Sequence, residues 1–282
     1  MRSLQKKYSG FTLLEMIVVI VITGIIGSMM AVFINAPVQG YVDSSNRAEM
    51  TDIADTALRR LARDIRTAVP NSIRNTVCGG VPCIEFLPTR DGGRYRAGVA
   101  GNVLDFGVPD GSFDIIGTPV TFTAGDQIVV GSTQSDGNPP YDSLVAGVRR
   151  PYLGALGAAQ ASVTFAATAY PLWAELPSHR FDVVDGAQGA VTYACEGALG
   201  LNANRDGTGS LNRYAAYGFN LPQVAPAALG VAPAVLADRL SACTITYTAV
   251  NQRNGLVEIQ LAITRNNETV SLYHSIHVNN AP

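Results

Sequence analysis

The 282 residues carry a formal net charge of −2, with charged side chains only 15% of the chain, which excludes an electropositive nucleic-acid binder as the default reading. With 28 Gly and 15 Pro the chain is rich in turns, and on length alone it makes one large domain or two small ones. Four cysteines, an even number, suit an exported chain in a disulfide-permissive compartment such as the periplasm.

The chain opens with ten residues that include Arg2, Lys6 and Lys7 and no acid. From Met16 to Ile34 almost every side chain is apolar, interrupted mainly by Thr23, Gly24, Gly27 and Ser28. Such a run approaches the roughly 20 residues a helix needs to span a bilayer. The basic residues before it stay on the cytoplasmic side and place the rest outside. Glu15 sits alone at the head of this run, with no further charge until Asp43. A carboxylate in hydrocarbon is costly enough to call for a partner. An α-amino group released by a cut between Gly10 and Phe11 would serve, the ammonium of one subunit meeting Glu15 of its neighbour.

Gly10-Phe11-Thr12-Leu13-Leu14-Glu15, with the apolar run behind it, resembles the prepilin signature of type IV pilins and type II secretion pseudopilins. The resemblance implies a leader peptide of residues 1–10, cut by the prepilin peptidase between Gly10 and Phe11. It also implies N-methylation of the new terminus at Phe11 and a role in assembly for Glu15. An ordinary secretory signal peptide shares the basic start and apolar core. That reading wants a small-x-small site after the core, where Phe33-Ile34-Asn35-Ala36-Pro37 offers a poor one, and it leaves Glu15 unexplained.

Residues 11–36 form the membrane-spanning half of a long helix and 37–70 its periplasmic half. Pro37 and Gly40 predict a kink or local unwinding. Beyond them Met50, Ile53, Ala54, Ala57, Leu58, Leu61, Ile65 and Ala68 recur at three- and four-residue spacing, an amphipathic stripe. Asp55 with Arg59, and Arg60 with Asp64, are spaced to pair on the solvent side. The arginines at 59, 60, 63 and 66 read as a solvated face or subunit contact, given the interleaved acids. Pro70-Asn71-Ser72 ends the helix.

Residues 71–282 read as a globular, β-rich periplasmic domain. Short strands are expected at 84–87, 103–106, 127–130, 162–165, 180–184 and 190–194. The end is clearest: 244–250 alternates, Asn254-Gly255 offers a hairpin turn, and Val257, Ile259, Leu261 and Ile263 share one face. Asn266-Asn267 turns again, and Val270, Leu272, His274, Ile276 and Val278 share the next inward face. Segments 131–160 and 196–240, rich in small residues and turn formers, read as long loops. The expected fold class is α+β and pilin-like, a long helix laid on an antiparallel sheet over one core.

Four cysteines allow three connectivities. Spacing favours Cys78 with Cys83, closing a small turn, and Cys195 with Cys243, stapling the sheet across 196–240. A zinc site would want short Cys pairs or histidines at matching spacing, which the sequence lacks. Of the three histidines, His274 and His277 fall on opposite faces of one strand, and no nucleophile elbow, phosphate loop or His-Glu-x-x-His occurs. Neither an enzyme nor a cofactor is expected. Asn202, Asn204 and Asp206, followed by Gly207, match the start of a calcium loop. The closing Glu is missing, since Arg213 holds the twelfth position, and an Asx-rich turn accounts for the same residues.

Further stretches narrow the resemblance: 37–43, 52–64, Pro70-Asn71-Ser72-Ile73-Arg74, Asp126 to Val130, His179-Arg180-Phe181 and the ending from Val270 to Pro282. They are similar to the MshO family of minor pilins, which serve biogenesis of the mannose-sensitive haemagglutinin (MSHA) type IV pilus. That likeness implies a low-abundance subunit of the inner membrane, single-pass with a periplasmic C-terminal domain, incorporated into the pilus. Its partners would be the prepilin peptidase, other minor and major pilins and the inner-membrane assembly platform. A J-type minor pseudopilin of type II secretion, which shares the Arg63-Asp64 style of helix, and a pilus-associated adhesin module remain as alternatives.

Overall fold

The computed structural model describes residues 10–74, 76–98, 100–133, 139–143, 147–251 and 254–280. Apart from Gly10, the expected leader lies outside them. The chain comprises two units, Met1–Glu49 and Met50–Pro282.

Helix α1 spans Leu13–Arg66. Its stretch Leu13–Met30 is long and apolar enough to cross a membrane. Within the first unit Ile17, Val21 and Ile25 all stand exposed. A helix apolar on every side is stable only against lipid or other helices. The local unwinding expected at Pro37 and Gly40 does not occur, since the helix is continuous through both. A proline removes one amide donor, and the cooperative turns on either side hold the backbone.

α1 ends at Arg66, short of the expected boundary at 70. The amide of Thr67 closes the last turn on Asp64 O at 3.1 Å, and the Val69 amide then donates to Leu87 O at 2.8 Å. The sheet takes over the backbone before Pro70 can stop it.

Among the described residues the second unit is built on fifteen strands. The first eight are β1 (Val77–Cys78), β2 (Val81–Phe86), β3 (Thr89–Tyr95), β4 (Ser112–Ile116), β5 (Val120–Thr121), β6 (Gln127–Val130), β7 (Arg149–Pro151) and β8 (Ala159–Gln160). There follow β9 (Ser162–Thr164), β10 (Arg180–Val184), β11 (Val191–Glu196), β12 (Gly209–Tyr214), β13 (Ala234–Asn251), β14 (Asn254–Arg265) and β15 (Glu268–Asn279). Seven form one antiparallel sheet in the order β1-β2-β11-β12-β13-β14-β15. Six form another in the order β7-β6-β10-β3-β4-β9, and β5 pairs with β8. The architecture is α+β, consistent with a pilin-like fold.

The end of α1 lies on the seven-stranded sheet. Met50, Ala54, Ala57, Leu58, Leu61, Ala62 and Ile65 are buried against Phe86, Val191, Tyr193, Leu211, Ile245, Ile259 and Leu261. The alanines between the larger side chains let helix and sheet approach closely. Burying each large apolar side chain stabilises the unit by about 1.5–3 kcal/mol.

The expectation of one core is corrected. The six-stranded sheet carries an aromatic cluster of its own, in which Tyr95, Phe113, Phe122, Phe165, Tyr170 and Phe181 are buried. Phe113 and Phe181 meet edge to face at 5.3 Å. The chain enters this sheet at Pro88, between β2 and β3, and leaves it between β10 and β11. Strand β3 was not expected, because Gly92 and Gly93 interrupt its pattern. A Cβ on Gly93 would lie 2.9 Å from the Phe181 ring, so the glycine makes room for a core aromatic.

Further corrections follow from pairing. Val103–Phe106 is not a strand; Phe106 makes only an isolated bridge to Tyr170. Segment 131–160 contains β7, β8 and a short turn at Pro139–Tyr141, and 196–240 contains β12 and the start of β13. In β12, Leu211 fills the core while the strand is clamped between β11 and β13; neighbours override weak local propensity. Asn254-Gly255 is not the hairpin turn either, for Asn254 pairs with Asn251 and Gly255 with Ala249, inside the ladder. The connecting residues 252–253 lie outside the described set. A Cβ on Gly255 would stand 2.6 Å from the Tyr247 ring, which covers it.

Candidate assembly site

Thr12 and Glu15 form the entry to α1. The Glu15 amide donates to Thr12 Oγ1 at 3.2 Å, while Glu15 Oε2 accepts from the Thr12 amide at 2.9 Å and from its hydroxyl at 3.0 Å. This is a reciprocal capping box, written in the sequence as Thr-x-x-Glu. It gives the carboxylate two donors and the positive end of the helix dipole. The partner that Glu15 calls for is thus found first within its own chain, at Thr12. Every atom of the box belongs to residues 12 and 15, so it requires nothing before Phe11. Phe11 itself is 83% exposed. The signal is local and lies in the sequence as the three-residue spacing of Thr12 and Glu15.

On the second half of α1, Asp55 and Arg59 pair at 2.6 Å in an exposed position. The expected Arg60–Asp64 pair is replaced. Asp64 turns to the sheet, where Arg213 Nε donates at 2.9 Å and the Tyr193 hydroxyl at 2.7 Å. Burial, reinforced by the Asp64 carboxylate, holds the Tyr193 phenol well above its usual range. Arg60, Arg63 and Arg66 remain exposed.

Beside the helix end, Arg74 and Glu85 form a buried bidentate pair, both contacts at 3.2 Å. The Arg74 guanidinium also donates to the carbonyls of Leu221 and Asn220, at 2.6 and 2.5 Å, and lies 3.6 Å from the centre of the Tyr141 ring. The Tyr217 hydroxyl donates to Glu85 at 3.1 Å. Burial pushes the Glu85 carboxyl up, against the opposing pull of Arg74. This cluster latches the 217–221 loop onto β2. Arg149 acts likewise, donating to Gln127 Oε1 at 2.6 Å and Tyr141 O at 3.0 Å under the Phe219 ring. Its burial lowers the guanidinium to about 10. Neither cluster was expected, since the partners come from separate elements.

Disulfides join Cys78 to Cys83 within the β1–β2 hairpin, and Cys195 to Cys243 across β12 from β11 to β13. In the segment that resembles a calcium loop, Asn202 Oδ1 accepts from the amides of Asn204 and Asp206, both at 2.9 Å. Asp206 Oδ1 accepts from the Asn266 amide at 2.8 Å. These oxygens build an Asx turn that buttresses the β14–β15 connection. His274 is half-buried on the inward face of β15 and His277 exposed on the other. Among the described residues no group of three or more His, Cys, Asp or Glu is gathered to hold a metal.

A hollow of about 280 Å³ opens beside the helix end, lined by Arg66, Thr67, Thr89, Arg180, Asp182 and Asn279 among others. Burial raises the Asp182 carboxyl to about 6, with Arg180 pulling the other way.

A family model described as the prokaryotic N-terminal methylation motif matches residues 5–31. No curated protein and no solved structure matches the chain. The matched motif indicates a type IV pilin or pseudopilin-type protein. With it come processing by a prepilin peptidase and assembly with other pilins, and the N-terminal apolar helix is compatible with membrane anchoring.

Proposed function

We propose that the chain is a minor pilin of an MSHA-type type IV pilus, acting in assembly or initiation of the filament. Residues 1–10 are a leader cut between Gly10 and Phe11, and Phe11 is then N-methylated. Residues 11–36 anchor the subunit in the inner membrane, the helix continues from 37 into the periplasm as far as Arg66, and 71–282 form the domain that selects neighbours. The observation that carries this reading is Glu15, alone in an apolar helix five positions after the cut. Its carboxylate pairs with the terminal ammonium of an adjacent subunit, which steers helices into register. The work of the protein is assembly, with no catalytic step. Its partners are the prepilin peptidase, other minor and major pilins and the assembly platform.

The test is a clean deletion strain, with surface pili counted by electron microscopy and secreted hydrolases assayed in the same cultures. Lost pili with normal secretion is the expected result. Normal pili with blocked secretion would make the chain a J-type minor pseudopilin. Pili and secretion both unchanged would overturn an assembly role and favour the adhesin reading.

A further inference from the structure

The seven-stranded sheet ends in a strand that natural sheets seldom leave open. β15 pairs with β14 over twelve consecutive residue pairs, Asn254↔Asn279 to Arg265↔Glu268, without a register shift. Among the described residues no strand pairs with its other side. Exposed edges are commonly blunted by lysine, proline, a bulge or short length. β15 has none of these, and from Thr269 to Asn279 it carries no Asp, Glu, Lys or Arg.

The free backbone groups can be assigned. Asn266 and Asn267 connect Arg265 to Glu268 with φ of 50° and 66°, the left-handed pair of a two-residue type I′ turn. The residues flanking such a turn exchange both hydrogen bonds, and bonded pairs then alternate along the ladder. Even-numbered residues of β15 therefore bond to β14. The amides and carbonyls of Thr269, Ser271, Tyr273, Ser275 and His277 point to the open side.

The core is also unfinished there. Val270 and Leu272 are only half-buried, although their cross-strand partners Ile263 and Leu261 are 1% and 0% exposed.

We infer that β15 pairs with β15 of a second copy of this chain, antiparallel about a two-fold axis at Tyr273. The strand is self-complementary in that register. Tyr273 faces its own copy, Ser271 meets Ser275 and Thr269 meets His277, all through the free backbone groups. On the inward face Val270 meets Ile276 and Leu272 meets the His274 ring, so both half-buried aliphatic side chains gain cover. No like formal charges oppose each other. About ten backbone hydrogen bonds form by this alternation, and the contact is isologous, an addition of strand to strand. The inference does not depend on the filament in which the subunit serves.

The test uses the full chain purified in detergent micelles. All four native cysteines are in disulfides, so one introduced thiol reports alone. Bonded antiparallel residues stand about 5.5 Å apart at Cα, within disulfide reach. Under mild oxidation Tyr273→Cys should give a covalent dimer, and Val77→Cys on the opposite edge strand should not. Adding Ser275→Pro removes an edge amide without touching the β14 ladder, and should abolish the cross-link while the melting temperature holds. Tyr273→Lys places like charges across the axis and should return a monomer by light scattering. A wild-type monomer with no Tyr273→Cys cross-link would overturn the inference. So would a dimer that survives both Ser275→Pro and Tyr273→Lys, because the contact would then lie elsewhere.

Discussion

Replacing Arg74 by Met tests what the buried latch contributes. Arg74 and Glu85 side chains are 3% and 2% exposed. The change leaves the Glu85 carboxylate buried with only the neutral side chains of Tyr217 and Gln223 bonded to it among the described residues. Breaking a buried pair from one side costs about 3–5 kcal/mol. In a unit of this size that lowers the melting temperature by about 6–20 °C. The penalty should also depend on pH. The folded pKa of Glu85 is already raised by burial, and Arg74 is what holds it down. Without Arg74 it rises further, so the fold prefers the protonated acid. Stability is then fully present below the unfolded carboxylate range and lost as pH rises through the folded value. The variant should lose most at pH 8 and recover part of the loss at pH 5, a recovery that the wild type does not match. Unfolding of the full chain in detergent, followed by the fluorescence of Trp173, measures both. An equal penalty at pH 5 and pH 8 would refute the claim that an uncompensated Glu85 charge is the cause. So would a Glu85→Gln, Arg74→Met double variant no more stable at pH 8 than Arg74→Met alone.

Two further perturbations follow from the same structure. Asp182 has a folded pKa near 6, above the ordinary 3.8, so stability falls as pH rises through about 6. Asp182→Asn should therefore stabilise the fold at pH 8 by on the order of 2–3 kcal/mol, read as a higher melting temperature, with the gain vanishing near pH 4; a gain constant across pH would exclude Asp182 as the titrating group. The two disulfides differ in the loops they close, 48 residues apart against 5. Chain entropy then assigns about 4 kcal/mol to Cys195–Cys243 and about 2 to Cys78–Cys83, and melts of the two double-alanine variants should rank in that order.

How much of this could be read from the residues depends on whether a pattern was local. The stripe from Met50 to Ile65 and the alternation in β14 and β15 repeat with one period for many residues, so burial follows directly. Strands β6 and β10 are short but continuously apolar or alternating, and their bounds agree with the expectation. The six-stranded sheet as a whole was not legible. Its core aromatics come one or two at a time from short strands and loops between Tyr95 and Phe181, and only the fold collects them. Strand β3 hides its pattern behind two glycines that Phe181 makes necessary. Arg74 and Glu85 are eleven residues apart, brought together by a single bridge, which no spacing rule anticipates. The Asn254-Gly255 pair shows the opposite error: a strong turn signal was overridden by a tyrosine that fills the space above glycine.

The N-terminus raises a question that the capping box makes answerable. Glu15 bonds within its own chain to Thr12, yet the proposed assembly step has it meet an ammonium from a neighbour. Both uses cannot be tested by Glu15→Ala, which removes cap and charge together. Glu15→Gln separates them. A glutamine amide still accepts from the Thr12 amide and hydroxyl, as capping boxes with Gln do, so the helix start is kept. What it lacks is the negative charge that attracts an ammonium in a medium of low dielectric. If charge pairing drives incorporation, Glu15→Gln should be absent from sheared filaments while its level in the membrane is unchanged, and Thr12→Val, which keeps the charge but loses the hydroxyl, should still be incorporated. If the cap is what matters, the two variants exchange places: Gln incorporates and Val does not. Immunoblots of sheared and membrane fractions decide between them, and the second pattern would remove the ammonium from the assembly reading.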